Sequence, residues 1–487
     1  MSLETNNLLQ NATAAFAVYS KKSGVEKAAF LEAIATALES KRADMVQTAQ
    51  AETNLPEARL NGELSRTTNQ LKMFARLISE GSWLEAAIDT ADPQRVPAKP
   101  DTRKMLVSLG PVVVFGASNF PFAFSTAGGD TASALAAGCS VIIKAHFAHP
   151  KTSELAFSAM QEAIAATGMH PHTVQHAFGS NEFAKELVVH PSTAAVTFTG
   201  SLAGGRALYD YAVQRANPIP VFAEMSSINP VVFYPDLLTN DTEALAKKIA
   251  GSFTLGVGQF CTKPGLLLAV KSDATNNLIE LIKANLSAAA PQKMLHSGIA
   301  KSYHAGLQTL KQQSNLAVEI NQDAANAETE ALPVFAVTEA DVFIANKALQ
   351  HEIFGPYSLL VLCNDKNQLT EVLASLEGQL TSTLMASDKD IEDWADVVAL
   401  QSSLAGRVIL NEAPTGVEVN ASMVHGGAYP ATTDARFTSV GASAIKRFAR
   451  PVCFQGFTNN MLPAELKNEN PLNIWRIVNN EFTKDEI

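Results

Sequence analysis

Three side chains able to act on a carbonyl group stand on separate turns of this chain. Cys261 lies in Gly256-Val257-Gly258-Gln259-Phe260-Cys261-Thr262, a glycine-rich turn ahead of the apolar run from Leu266 to Val270. The chain has 4 cysteines, and Cys139, Cys363 and Cys453 lie in or beside apolar runs. Glycines allow close approach of a ligand to a turn, and a thiolate there is a strong nucleophile. Glu224 lies in Phe222-Ala223-Glu224-Met225-Ser226-Ser227, between a short apolar stretch and a turn. Asn119, in Gly116-Ala117-Ser118-Asn119-Phe120-Pro121, follows the apolar run Val112 to Phe115. Its amide therefore falls at the carboxyl end of a predicted strand, where open α/β sheets bind ligands. Taken singly, these read as a structural cysteine, a solvated acid and a turn residue. Taken together, they supply a nucleophile, a carboxylate base and an uncharged donor for an oxyanion.

The elements that must position them alternate. Residues 24–50 carry helical periodicity through Phe30, Leu31, Ile34, Leu38, Met45 and Val46, and a second helical stretch runs from Asn69 to Ile78. Strands are predicted at Val112–Phe115, Val141–Lys144, Thr173–Ala177, Ala194–Phe198 and Pro220–Ala223. Helices fill the gaps at Ser125–Ala137, Thr152–Ala166, Asn181–Val189 and Leu202–Gln214. Such alternation implies parallel strands joined by right-handed crossovers. The pattern restarts with strands at Val231–Tyr234, Gly265–Val270, Ser358–Leu362, Thr383–Ala386 and Arg407–Leu410, and helices at Thr242–Phe253, Thr275–Ala288 and Gln368–Leu376. The fold class expected is α/β, with two doubly wound parallel-sheet domains. One covers residues 1–225, with part of 425–450 returning to it. The other covers 226–424 and carries the thiol. The tail, 451–487, is read as irregular and as a possible oligomerisation element.

Bulk properties exclude several classes. The formal net charge is −11, which argues against a surface for polyanions, so no nucleic-acid partner is expected. The first ten residues are polar and lack the basic and apolar segments of a signal peptide. No apolar run reaches the ~18 residues of a membrane span. The cysteines show no metal-ligand spacing, so no metal is expected, and they read as reduced thiols of a cytoplasmic protein.

The ordered motifs resemble the aldehyde dehydrogenase family. They are Gly110-Pro111, Asn119-Phe120-Pro121, Lys144, Phe198-Thr199-Gly200-Ser201, Glu224, Gly258-Gln259-Phe260-Cys261 and Glu352-Ile353-Phe354-Gly355-Pro356. Three segments are similar to the 2-oxoglutarate semialdehyde (2,5-dioxovalerate) dehydrogenase branch: Phe115 to Pro121, Ala127 to Ala134 and His425 to Thr433. The resemblance implies oxidation of an aldehyde to an acid through a thiohemiacetal and a thioester on Cys261. It gives Asn119 the oxyanion and Glu224 the hydrolytic water, and it implies a homodimer or homotetramer. His425, on a Gly-, Pro- and Thr-rich loop, is a candidate second base. A long-chain or broad-specificity fatty aldehyde dehydrogenase is the alternative substrate reading. A coenzyme-A-dependent acylating enzyme is disfavoured by the presence of Glu224. A non-catalytic dinucleotide-binding protein is the alternative class.

No Gly-x-Gly-x-x-Gly fingerprint follows the first strand. The candidate phosphate loop is instead Phe198 to Arg206, with Gly200, Ser201 and Gly204 where a strand ends and a helix begins. By the resemblance, Lys144 contacts ribose or phosphate, and Glu352 and Phe354 hold the nicotinamide ribose and flank the ring. Many NAD-preferring relatives place a glutamate where this chain has Phe147. Losing that charge favours NADP over NAD, with His146, Lys144 and Lys185 as candidate cations and Glu182 as an opposing charge. A semialdehyde bearing a second acid group needs a cation at its far end, for which Arg66 and Arg436 are candidates.

Overall fold

Four helices open the chain: α1 (Leu3–Tyr19), α2 (Gly24–Ser40), α3 (Arg42–Thr53) and α4 (Glu57–Glu80). Ser2 caps α1, and Ser23 and Glu26 form a reciprocal capping box on α2. The computed structural model describes residues 1–318, 325–326 and 328–487. Helix α4 starts well before the Asn69 that apolar periodicity marks. Its first turns carry Arg59, Glu63 and Arg66, charged residues that face inward and so break the pattern. Its apolar stripe (Leu60, Leu64, Leu71, Phe74, Ile78) is buried, and Gly81 ends it at φ +84°.

Two short strands follow, β1 (Ala87–Asp89) and β2 (Thr102–Ser108), and then the first lobe: β3 (Val112–Phe115), α5 (Gly129–Ala137), β4 (Val141–Lys144), α6 (Pro150–Thr167), β5 (Val174–Ala177), α7 (Asn181–Val189), β6 (Ala195–Thr199), α8 (Leu202–Val213) and β7 (Val221–Glu224). The five strands β3 to β7 are parallel in the order β5-β4-β3-β6-β7. The chain winds outward from β3 to β5, then returns to β6 on the other side, which makes a switch point between β3 and β6. Strands β3 and β4 are buried along nearly their whole length, which is why they read as continuous apolar runs.

The second lobe is a seven-stranded sheet. Its order is Leu316–Val318, Val334–Glu339, Tyr357–Cys363, β9 (Leu266–Val270), β8 (Val231–Phe233), Gln379–Met385 and Ala405–Leu410. All pairs are parallel except the first, where Leu316–Val318 runs antiparallel to Val334–Glu339. The fold is thus α/β with two parallel sheets, as the alternation implied. Gly265 and Leu266 both donate to the Ile228 carbonyl (2.9 and 3.0 Å), which ties the entry of β9 to the exit of β7.

The tail is more regular than its composition suggests. Ala449–Gln455 pairs antiparallel with β2, and Arg476–Val478 pairs parallel with β1 and antiparallel with Glu481–Thr483. The result is a separate five-stranded sheet joining residues 87–108 to the carboxyl-terminal segment. Pro451 and short strand length hide these pairings from a sequence reading, and Pro451 is tolerated because its strand is at the sheet edge.

Candidate active site

The carboxyl ends of β3, β6 and β7 open toward the amino ends of β8 and β9, and the chemistry collects between them. Glu224 is the last residue of β7 and is 3 % exposed. Cys261 precedes β9 on a turn of unusual backbone: Gly256, Val257 and Gly258 have φ of +56°, +58° and +63°. Glycine accepts this conformation freely, whereas a β-branched valine does so at a cost of about 1–2 kcal/mol. The buried Gln259 side chain secures the turn, donating to Gly256 O (3.1 Å) and accepting from Leu295 N (3.0 Å). Asn229 clamps the far side, its amide donating to the carbonyls of both Cys261 and Lys263 (2.9 Å each).

His425 arrives from the segment after the second sheet. That segment lies along the β7 edge: Met225 N donates to Ala431 O (2.8 Å), and Thr433 N donates to Ala223 O (3.2 Å). Gly427, at φ +156°, passes so near Gln379 that a Cβ would lie 2.0 Å from its carbonyl oxygen. Only glycine fits there. His425 Nε2 then lies 2.9 Å from Glu224 Oε1 and 3.5 Å from Cys261 Sγ. Ser439 Oγ donates to the other carboxylate oxygen of Glu224 (2.9 Å). One ligand atom from each of Glu224, Cys261 and His425 lies within 4.8 Å of the others.

Electrostatics set the resting protonation. Burial pushes the Cys261 thiol well above the usual range, and the neighbouring Glu224 and Glu352 carboxylates push the same way, against Arg66. The resting group is therefore a thiol, and a base must take its proton. For Glu224, desolvation acts to raise the pKa, as its position suggests. The attraction and hydrogen bond of His425, with those of Ser439 and Cys261, outweigh it, so the carboxyl is held below its ordinary range. This reverses the upward shift expected from burial alone: three donors converge on one carboxylate.

Asn119 follows β3, and its amide donates to Gln259 O (3.2 Å), within the turn of the thiol. Its own carbonyl accepts from Arg59 Nη2 (2.8 Å). The Arg59 guanidinium lies between the rings of Phe120 and Phe260 (4.9 and 4.7 Å), neighbours of Asn119 and Cys261 in the chain. Helix α4 thus fastens the carboxamide turn to the thiol turn. One helical turn on, Glu63 is buried and accepts from the N–H groups of Phe122 and Ala123 (2.8 and 3.0 Å).

Arg66, a further turn along α4, lies 5.0 Å over Phe124, whose ring is 6.3 Å from that of His425. Its Nε is buried without a hydrogen-bond partner, and its charge is felt at Cys261 and Glu224. Arg436 is not brought to the site. Its side chain is 80 % exposed and paired with Asp434 at 2.6 Å. The flanking Gly-, Pro- and Thr-rich sequence made it look like part of the same loop, but His425 turns inward and Arg436 does not.

Whether a dinucleotide fits is answered at the switch point. Gly200 and Ser201 stand between β6 and the twelve-residue α8, with Ser201 Oγ accepting from Gly204 N (3.2 Å). A Cβ on Gly200 or Gly204 would meet the Phe198 ring at 2.6 or 2.8 Å. The loop is therefore closely packed around a helix N-terminus, a setting that suits a phosphate. Lys144 is half-buried at the end of β4, its ammonium pKa lowered by desolvation. Phe147 is exposed and His146 stacks on it (4.4 Å). Burial, with the neighbouring His149, His296 and Lys144, pushes His146 down to about 3, so it supplies no positive charge at neutral pH. Lys185 lies over Tyr211 (5.3 Å). The Glu352 carboxylate takes hydrogen bonds from Ser226 Oγ and Ser227 N, two and three residues after Glu224 in the chain. Phe354 shares its loop.

Arg59, Glu63, Lys263 and Ser439 were not singled out in the sequence. The first two had a readable signal, charged residues one helical turn apart on the face later occupied by Arg66. Ser439 had none, because its partner lies 215 positions away.

Residues 2–447 match the model of the aldehyde dehydrogenase family. The chain is 44% identical over 484 residues to an alpha-ketoglutaric semialdehyde dehydrogenase of Acinetobacter baylyi, covering 99% of this chain and 92% of the relative. It is 47% identical over 466 residues to alpha-ketoglutaric semialdehyde dehydrogenase 2 of Azospirillum brasilense, covering 95% and 89%. A solved gamma-glutamyl-gamma-aminobutyraldehyde dehydrogenase from Burkholderia cenocepacia superposes with TM-score 0.78 at 20% identity, covering 93% of this chain and 89% of that one, a likeness of fold. With Cys261, Glu224 and His425 in mutual contact between two parallel sheets, the chain belongs to the aldehyde dehydrogenase family and is an NAD(P)-dependent aldehyde dehydrogenase.

Proposed function

We propose that the protein oxidises 2-oxoglutarate semialdehyde to 2-oxoglutarate. The observation that carries the substrate is Arg66: its buried Nε has no hydrogen-bond partner, and its charge acts on Glu63 first and then on Cys261, Glu224 and Glu418. An acid group on the far end of the aldehyde would complete it. The high identity to two relatives of that activity supports the same reading.

The residues act as follows. The Cys261 thiol gives its proton to the Glu224–His425 pair and attacks the aldehyde carbon, forming a thiohemiacetal. The Asn119 amide and the Cys261 N–H bind the oxyanion. A nicotinamide dinucleotide would be held by Lys144, Gly200, Ser201, Gly204, Glu352 and Phe354 and would supply the acceptor for the hydride that leaves the thiohemiacetal carbon. The thioester left on Cys261 is hydrolysed by water that Glu224 activates, with His425 and Ser439 fixing the carboxylate.

Replacing Arg66 with alanine is expected to raise KM for the semialdehyde by about 10–100-fold while changing KM for a neutral aldehyde of similar length little, since bonds to a charged group contribute about 1.5–3 kcal/mol. Arg436→Ala is the control and leaves both unchanged. The decisive experiment is a kinetic screen of acid-bearing and neutral aldehydes with both coenzymes. A neutral long-chain aldehyde outperforming the semialdehyde would replace this reading with the fatty aldehyde one.

The same screen tests the coenzyme. NADP is favoured because Phe147 presents no charge against a 2′-phosphate, and Lys144 and Lys185 remain as candidate cations, His146 being neutral. A larger specificity constant for NAD would reverse this preference.

We also assign residues 1–225, with part of 425–450, to dinucleotide binding, 226–424 to the lobe of the thiol, and 451–487 to assembly. Ala405–Leu410 is an edge strand with Val408 and Leu410 45 % and 53 % exposed, an unprotected edge that a second copy could cover. A homodimer or homotetramer is expected by light scattering, and Leu410→Lys is expected to shift it toward monomer. Among the described residues no helix is long and apolar enough to cross a membrane, and a cytoplasmic location is part of the proposal.

A further inference from the structure

Lys263 stands two residues beyond the nucleophile and is 1 % exposed, one of the largest fully buried side chains in the protein. An ammonium that deep gives up its hydration at a large cost unless it is paired and hydrogen-bonded. Its partners all lie on one loop. Nζ donates to Ile353 O (3.1 Å) and Tyr357 O (2.9 Å), the two carbonyls that bracket Phe354 to Pro356. It also lies 5.7 Å from the centre of the Tyr357 ring. The backbone of the same loop touches the thiol turn directly, since a Cβ on Gly258 would meet the Gly355 carbonyl at 2.3 Å. On its other side, Lys263 is fixed through its own carbonyl by Asn229, which holds Cys261 in the same way.

We propose that Lys263 is a positioning residue for the coenzyme: it rivets the Glu352–Tyr357 loop to the thiol turn and supplies the opposite charge for the Glu352 carboxylate. The inference rests on the reading that Glu352 faces the bound dinucleotide. Two charged groups act on Glu352, Lys263 favouring the carboxylate and Glu224 opposing it, while Ser226 and Ser227 hydrogen-bond to it and Glu352 in turn raises the Cys261 thiol. Burial pushes Glu352 upward from the ordinary carboxyl range, and Lys263 limits that rise. Without the ammonium, desolvation and Glu224 are opposed only by the hydrogen bonds of Ser226 and Ser227, so Glu352 moves further toward its protonated form at neutral pH. A neutral acid accepts the hydrogen bonds of ribose hydroxyls less well than a carboxylate does.

The sign of the pH effect follows. Glu352 is an acceptor above its pKa, so coenzyme affinity falls as pH falls through it. In Lys263→Met that fall moves to higher pH. The test is fluorescence titration of reduced NAD and reduced NADP, with no aldehyde present, from about pH 6 to about pH 9 on wild type, K263M, E352Q and the double variant. K263M is expected to bind about fivefold more weakly at pH 7, as a rise of about one unit from a midpoint of about 7 implies. E352Q is expected to bind with little pH dependence, and adding K263M to E352Q to change nothing further. Equal losses from K263M with and without Glu352, or an unmoved pH midpoint, would overturn the proposal and leave Lys263 a packing residue. Should K263M fail to fold, E352Q decides: a pH dependence as steep as that of wild type overturns it. No coenzyme binding by wild type would defeat the functional reading as well, whereas binding with additive variants defeats this inference alone.

Discussion

Cys261→Ala is expected to lower aldehyde oxidation by about 10⁴-fold or more, to background, while leaving coenzyme binding in place. The size of the effect follows from covalent chemistry, because the acid is released from a thioester bond to this sulfur. The resting thiol is held above its usual pKa by burial and by Glu224 and Glu352, so wild-type alkylation by a neutral reagent should accelerate as pH rises through the alkaline range. C261A should lose that labelling. Stopped-flow absorbance of the reduced coenzyme checks the first part and mass spectrometry of the alkylated protein the second. Residual turnover in C261A near the wild-type rate would mean that the thiol is not the nucleophile.

Glu224→Gln is expected to separate the two halves of the reaction. The amide keeps the size of the side chain, so acyl-enzyme formation should still give a burst of reduced coenzyme approaching one equivalent per site. Steady-state turnover should then fall by about 10²–10⁴-fold, the usual contribution of a general base. The contacts of Glu224 refine the prediction. His425 and Ser439 occupy both carboxylate oxygens, and they hold its pKa low, so the limb of the pH profile belonging to Glu224 should lie on the acid side. His425→Asn should move that limb upward, because desolvation would then be less opposed. A normal steady state in E224Q would remove it as the base.

Much of this was legible in the chain, and the reason is physical. Parallel strands such as β3, β4 and β9 are covered on both faces, so they appear as unbroken apolar runs bounded by turns. Cys261, Glu224 and Asn119 were legible because each sits on a strand-end turn whose composition is itself unusual. What could not be read was pairing at long range. His425 meets Glu224 across 201 positions and Cys261 across 164, and no local pattern encodes that. The start of α4 was obscured because Arg59, Glu63 and Arg66 point into the protein, where periodicity assigns apolar residues. Val334–Glu339, the tail strands and α1 were missed because short or polar segments depend on partners formed elsewhere in the sheet or bundle. The burial of Glu224 is guessable from sequence, whereas the donors that counter its desolvation are not.

Val257 has a consequence for the history of this enzyme under heat. Among the residues around the thiol it carries a left-handed backbone on a branched side chain, so exchanging it for glycine relieves torsional cost at once. Any search for thermotolerant variants should therefore be drawn to that position. The gain would come with a slacker hinge under the sulfur atom, and robustness and catalytic aim would be selected in opposite directions at a single codon.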